Sequence, residues 1–434
     1  MLGVCYAVYT PLWEAPDEPA HFNYIRAIGD TGALPVLQKG DYDQQYLEEI
    51  KAAKFPPWMP IDAIRYEGYQ PPLYYLAATP VYLFVRASGL TAQAVALRLF
   101  TLALGVALLL VAYAVVRSAF PSDAFLALAA VGAVAVVPMN IADTASIGND
   151  TAADLVLALI LLLAVRRTHG SVADRRYVIF GGVLFGAALL TKTTAYVPGA
   201  VVLAVAEIAR YGRETSAAIN RTRLVAAGVK RLIALFGLAA VISAPMFVRN
   251  MLTYGVTDPL GLARHNAVVA GQPTTLEMIR SYGMRHILFD FVVVTFKSFW
   301  AQFGWMGVLV NDRIYVVLAV LSAAAAFGLV LYLIRLRRAP AALPPPERWS
   351  LVLFGLVVLT ALVDLVGYNV EFYQLQGRYL FPALIPLAVF GVLGLRELLA
   401  REYARLVFAL IYAGMVALDA ACLFLFIVPQ LRIG

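Results

Sequence analysis

The chain has 434 residues, of which 62% are hydrophobic and 14% charged, with a formal net charge of +7 and a mean hydropathy of +0.78. This balance excludes a soluble globular protein, and the positive excess sits in short loops between apolar runs, so it does not point to nucleic acid. The two cysteines, Cys5 and Cys422, lie in apolar runs, leaving neither a disulfide framework nor a cysteine metal site.

Met1 to Leu12 is apolar but too short to span, and no Lys or Arg precedes it. It reads as the end of a first transmembrane helix that begins upstream. The loop 13–70 follows, with ten Asp or Glu against five Lys or Arg. Near its start stands Ala15-Pro16-Asp17-Glu18-Pro19-Ala20-His21. Asp17 is placed to cap a helix whose first turn holds Glu18 and Pro19, and His21 lies one turn on, so the three share one side. Leu73 to Val85 comes after Gln70-Pro71-Pro72 and is interrupted by Pro80. It reads as an interfacial or re-entrant helix, with Gln70, Tyr74 and Tyr75 forming a lipid-facing lip at the headgroup level.

Further spans are predicted over 96–116, 124–141, 151–165, 177–191, 194–208, 231–250, 314–334, 350–368, 379–395 and 406–428. With the partial first segment this makes about 11 transmembrane helices in an all-α polytopic membrane protein. If Leu73–Val85 does not cross, the linkers 117–123, 166–176, 209–230, 335–349 and 396–405 fall on one side. Together they hold half of the 34 Lys and Arg, which makes that side cytoplasmic. The loops 13–70 and 251–313 then lie outside. The Pro-rich stretch Ala339 to Pro346 marks a cytoplasmic linker, dividing the chain into a module of residues 1–338, a linker of 339–349 and carboxy-terminal helices of 350–434.

On the outer side the rare polar groups near helix ends converge: Asp17, Glu18, His21, Asp150, Lys192, Arg249 and Arg378. Any one of them reads equally well as a cap, a snorkelling base or an interfacial anchor. Their gathering from distant segments at one depth is what those separate readings leave unexplained. Lys192, Arg249 and Arg378 are suited to neutralising a phosphate. Asp17 is suited to taking a proton from a hydroxyl. Glu18, His21 and Asp150 have donor types that a divalent cation such as Mg or Mn accepts. No Gly-rich phosphate loop or βαβ pattern is present to hold a nucleotide.

The segments Pro16-Asp17-Glu18-Pro19-Ala20-His21 and Gln70-Pro71-Pro72-Leu73-Tyr74-Tyr75 resemble the GT-C class of integral-membrane glycosyltransferases. Four further matches are Asn149-Asp150, Arg249-Asn250 with Tyr254-Gly255 and Asp258-Pro259, Phe299-Trp300 with Phe303-Gly304-Trp305, and Gly377-Arg378-Tyr379-Leu380 with Pro382. In order and spacing these are similar to one group of bacterial polytopic membrane proteins placed near that class. The resemblance implies a GT-C-like bundle with interfacial helices in the first outer loop, in the bacterial plasma membrane. It implies Asp17 as catalytic base, Asp150 as a metal- or donor-binding acid, and Lys192, Arg249 and Arg378 as binders of donor phosphate. The implied donor is a sugar on a polyprenyl phosphate, with membrane lipids as the other partners and transfer on the extracytoplasmic face. Two rival readings share these residues. A transporter or flippase of a lipid-linked glycan needs polar groups deep in the spans, whereas Asp154, Asp364 and Asp419 are scattered. A non-catalytic membrane scaffold needs no acid beside a phosphate site.

Overall fold

The computed structural model describes residues 1–214 and 221–432. The chain folds into α-helices, here numbered in order: α1 Leu2–Tyr9, α2 Glu18–Thr31, α3 Gln44–Ala52, α4 Leu73–Val85, α5 Leu90–Ala119, α6 Ala124–Ala135, α7 Pro138–Thr144, α8 Asp150–Thr168, α9 Asp174–Leu189, α10 Tyr196–Glu214, α11 Arg221–Tyr254, α12 Leu262–Val268, α13 Thr275–Tyr282, α14 Met284–Ala301, α15 Asp312–Arg338, α16 Pro345–Glu371, α17 Leu384–Leu398, α18 Arg401–Ala421 and α19 Val428–Leu431. A short antiparallel pair, Gln302–Phe303 with Val308–Leu309, is the β-structure among the described residues.

A helix lies at each predicted span, but the count of about 11 transmembrane helices does not hold. Six segments among the described residues are long and apolar enough to cross: α5, α11, α15, α16, Gly377–Leu398 and Arg401–Leu431. A seventh exists if α6 and α7 are one broken span. Pro138 is the reason for that break. It lacks an N–H and forces Val137 out of the helical region, to φ −84°, ψ 113°, and the two pieces meet at 70°. The other helices counted from sequence fail for particular reasons. α1 has 8 residues. α9 has 16 residues, about 24 Å against the roughly 30 Å of hydrocarbon. α8 carries Asp150, Asp154, Arg166 and Arg167, and α10 carries Glu207, Arg210, Arg213 and Glu214. α8, α9 and α10 still run between the two ends of the bundle.

Those ends differ in chemistry. At one end, ion pairs join Arg335 to Glu397 and Arg396 to Asp123, and Arg167 binds Asp174 and Glu207. At the other end the two long loops fold into α2–α3 and α12–α14 and close over the bundle. They are sewn together by Tyr254 Oη to the Leu37 N–H (3.0 Å), Arg264 Nε to the Leu37 carbonyl (3.0 Å) and Trp305 Nε1 to the Trp13 carbonyl (2.9 Å). Small residues set the close approaches beneath. A Cβ on Gly328 of α15 would come within 2.0 Å of the Gly394 carbonyl on α17, so those helices touch backbone to backbone.

Candidate functional site

The loop-bearing end holds a compact set of charged side chains with Asp17 at its centre. Asp17 occupies the position before α2, as a cap would, but its backbone is left-handed (φ 67°) and its side chain makes no cap bond. An Asp in that region is uncommon, and such conformations collect at functional sites. The carboxylate is instead aimed away from the helix. It accepts from Tyr66 Oη at 2.8 Å and pairs directly with Arg378. Burial alone would raise the Asp17 carboxyl. The Arg378 and His21 charges, with the bonds from Arg378 and Tyr66, more than offset this and bring it down to about 2.

Arg378 is held by its own chain. Gly377 lies flush on α14, where a Cβ would come within 2.2 Å of the Phe299 nitrogen, and its N–H donates to Ser298 Oγ at 2.8 Å. Arg378 Nε donates to Gln376 Oε1 at 2.7 Å, and Nη1 stands 3.9 Å from Asp143 Oδ1. Asp143 is carried in by α7, the short arm of the broken helix. A second pair, Lys192 Nζ to Asp150 Oδ1 at 2.6 Å, sits alongside, Asp150 opening α8 and Lys192 lying just past α9. His21 is buried, and its Nδ1 is 2.8 Å from Tyr75 Oη. Burial, with Lys192 nearby, lowers its pKa despite Glu67 and Asp17. Glu67 is pushed up by burial and by Asp17, against His21 and Lys192, and its Oε2 has no hydrogen-bond partner.

Of the residues singled out in the sequence, Asp17, His21, Asp150, Lys192 and Arg378 meet here. The other five are placed differently. Glu18 is a structural tie: fully buried, it takes Arg98 Nε and Nη2 at 2.7 and 2.6 Å and the N–H groups of Trp13 and Ile147. Arg249 binds the Leu34 and Pro35 carbonyls and so clamps the first long loop onto α11. The lip of Gln70, Tyr74 and Tyr75 is not a lip, since all three are buried. Tyr75 stacks on Tyr24 of α2 at 3.7 Å, Tyr74 Oη bonds Thr101, and Asn149 Nδ2 reaches Gln70 Oε1. α4 is packed under α2, so its aromatic face points inward. Glu18 is taken up by Arg98, and His21 Nδ1 by Tyr75. Among the described residues no group of three or more His, Cys, Asp or Glu could hold a metal ion.

Sequence reasoning missed Tyr66, Glu67, Asp143 and Gln376. Asp143 had a signal, being the sole acid between Asp123 and Asp150. Tyr66, Glu67 and Gln376 had none, because their roles depend on how loops fold back.

A cavity of about 310 Å³ opens beside Asp17, walled by residues of both long loops and of 373–376. A separate apolar cavity of about 320 Å³ lies between α15, α17 and α18, bounded by Phe299 and Trp300 of α14.

Comparison with known proteins bears on the fold. No curated protein matches the chain. The crystal structure of ArnT from Cupriavidus metallidurans, bound to undecaprenyl phosphate, superposes with a TM-score of 0.52 at 13% identity, covering 99% of this chain and 72% of ArnT. The Archaeoglobus fulgidus oligosaccharyltransferase, in complex with Zn and sulfate, gives 0.48 at 15% identity, over 97% of this chain and 52% of its own. The same organism's AglB, with an inhibitory peptide and a dolichol-phosphate, gives 0.46 at 14% identity, over 99% and 54%. The chain thus spans about half of those oligosaccharyltransferases. The bundle is an all-α membrane fold similar to that of ArnT. Residues 59–388 match the family described as predicted membrane protein (DUF2142), and the chain belongs to that family.

Proposed function

We propose that this protein transfers a sugar from a polyprenyl-phosphate donor to an acceptor on the extracytoplasmic face of the bacterial plasma membrane. The observation that carries this reading is the Asp17–Arg378 pair, a carboxylate on a guanidinium at the wall of an open cavity. The ArnT-like fold and the undecaprenyl phosphate in that relative's structure support the lipid class of the donor.

In this reading the acceptor hydroxyl attacks the anomeric carbon. The new carbon–oxygen bond forms as the bond from that carbon to the phosphate oxygen breaks. The hydroxyl proton passes to Asp17, and polyprenyl phosphate leaves as an anion paired with Arg378 and Lys192. Arg378 is paired with Asp17, and Lys192 with Asp150. Arg378 holds Asp17 at about 2, too acidic to be a good base. A phosphate that takes Arg378 for itself removes that restraint, so donor binding itself makes Asp17 more basic. The apolar cavity beside Phe299 and Trp300 gives a prenyl chain a place close to Gly377, the neighbour of Arg378. No step is routed through a cation.

The test is binding of undecaprenyl phosphate to the chain in nanodiscs, read as a rise in melting temperature. Stabilisation that is lost in both Lys192→Ala and Arg378→Ala supports the reading. Equal stabilisation of wild type and both variants overturns it.

A further inference from the structure

The cavity beside Asp17 has a lining unlike that of the rest of the site. Arg378, Lys192, Asp143 and Asp150 are not among the residues that wall it. The cavity itself presents side-chain amides from Gln44, Gln272, Gln374 and Gln376, and hydroxyls from tyrosines that include Tyr66. Its indole comes from Trp305, held there by a turn in which Gly304, Trp305 and Met306 all have positive φ (56°, 52° and 70°). Two successive non-glycine residues in that region are costly and mark a backbone held for a purpose.

The amides form a chain that leads to the reaction centre. Gln374 Nε2 donates to Gln272 Oε1 at 3.0 Å, Gln376 Nε2 reaches Gln374 Oε1 at 3.4 Å, and Gln376 Oε1 accepts from Arg378 Nε at 2.7 Å. Each amide has two donors and an acceptor with two lone pairs, a match for hydroxyl groups that both give and accept. The charges in the wall are Glu48 and Lys51, which pair with each other at 2.7 Å, and Asp17, which pairs with Arg378. Among the described residues the one cation in this wall, Lys51, is already paired with Glu48, so an anionic acceptor meets no free counter-charge. A lipid headgroup that is phosphorylated fits this wall poorly, and a neutral polyol fits it well.

We infer that this cavity is the acceptor subsite and that it binds a neutral carbohydrate, presenting a sugar hydroxyl to Asp17. The inference rests on the transfer reading for the word acceptor, but the sugar-binding claim is separable from it. The volume of about 310 Å³ is at the lower end of small-ligand pockets.

The experiment is saturation-transfer NMR on the full chain in nanodiscs, with no lipid donor. The probes are maltose, cellobiose and mannobiose, with glucose 6-phosphate, mannose 6-phosphate and an uncharged tripeptide alongside. At least one neutral disaccharide should bind at millimolar Kd and bind at least fivefold more weakly to Gln374→Leu. Gln44→Leu, on α3, should do the same and serves should Gln374→Leu fail to fold. Gly355→Ala, in α16 and not among the residues that wall the cavity, should leave sugar binding unchanged. Absence of any neutral-sugar signal, signals indifferent to both glutamine variants, or tighter binding of the phosphosugars or the peptide would each overturn the inference. A chain that transfers sugar without such binding sinks the cavity assignment alone. A chain that binds these sugars but never transfers sinks the transfer reading and with it the acceptor role.

Discussion

Asp17 and Arg378 stand 361 positions apart and meet in one ion pair, the first held by a left-handed turn and the second by a glycine pressed against α14. Replacing Asp17 by Asn keeps the shape and removes the carboxylate that the proposed transfer uses as its base. We expect transfer to fall by about 10²–10⁴-fold, the usual contribution of a positioned acid or base. The pH dependence has a definite sign. The folded carboxyl is at about 2, below its ordinary 3.8, so the pair stabilises the fold above pH 3.8 and that stability is lost as pH falls toward 2. The melting difference between wild type and Asp17→Asn should therefore be flat from pH 5 to 8 and shrink below pH 4; a difference that varies between pH 5 and 8 contradicts the pairing.

Arg378→Lys should behave more like Arg378→Ala than like wild type in donor binding, because one guanidinium serves Asp17, Gln376 and Asp143 through different nitrogens and an ammonium cannot span them. Arg249→Ala is the contrast. Its guanidinium is spent on the Leu34 and Pro35 carbonyls, so it should lower the melting temperature while sparing the response to undecaprenyl phosphate. Loss of that response in Arg249→Ala would restore it to the phosphate site.

Glu18→Ala leaves Arg98, 1% exposed, without its counter-charge. Breaking one side of a buried pair costs about 3–5 kcal/mol. The double variant Glu18→Ala with Arg98→Leu should recover part of that loss, since no charge is then stranded. Denaturant melts of the three proteins in detergent measure it, and a double variant less stable than Glu18→Ala would contradict the account.

Gly377→Ala should cut activity strongly and also lower the melting temperature, because the added methyl meets the backbone of Phe299 and Thr295, which cannot yield cheaply, and displaces Arg378. Gly355→Ala, in α16, has nothing within 4 Å of its new methyl and should be silent. Equal activity in the two variants would remove Gly377 as the device that places Arg378.

Glu14 gives a pH response of opposite sign to Asp17. It is 3% exposed, its Oε1 has no partner, and burial pushes it up to about 7, with Lys54 opposing and Glu18 adding. The folded chain therefore holds a proton that the unfolded chain releases near 4.5, and stability falls as pH rises from about 4.5 to 7. Glu14→Gln should flatten that slope; a slope that survives the substitution assigns it elsewhere.

The positions of the helices and the meeting of Asp17, His21, Asp150, Lys192 and Arg378 were legible in the sequence, since apolar period and rare intramembrane polarity both write themselves into it. The number of spans was not. Apolar windows at 151–165 and 177–191 look alike whether or not a helix has the length and uncharged ends to cross. Arg98 hid in an apolar run and surrendered its meaning only when Glu18 was found beside it. Tyr74 and Tyr75 looked like interface residues because a sequence shows an aromatic cluster but not which way its helix is rolled. Asp17 was read as a cap from its spacing, and the left-handed turn that frees its carboxylate has no residue-type signature.

The Glu18–Arg98 tie has a consequence for how the protein is made. The two residues are 80 positions apart, and α5 supplies the arginine. At about 5–20 residues per second, roughly 4–16 s separate their emergence from the ribosome. Through that interval Glu18 has no counterion and can remain in water, so the turn that aims Asp17 has nothing to lock it. The arrival of α5 thus gives Glu18 its counter-charge and fixes the start of α2 well before Arg378 is made to pair with Asp17.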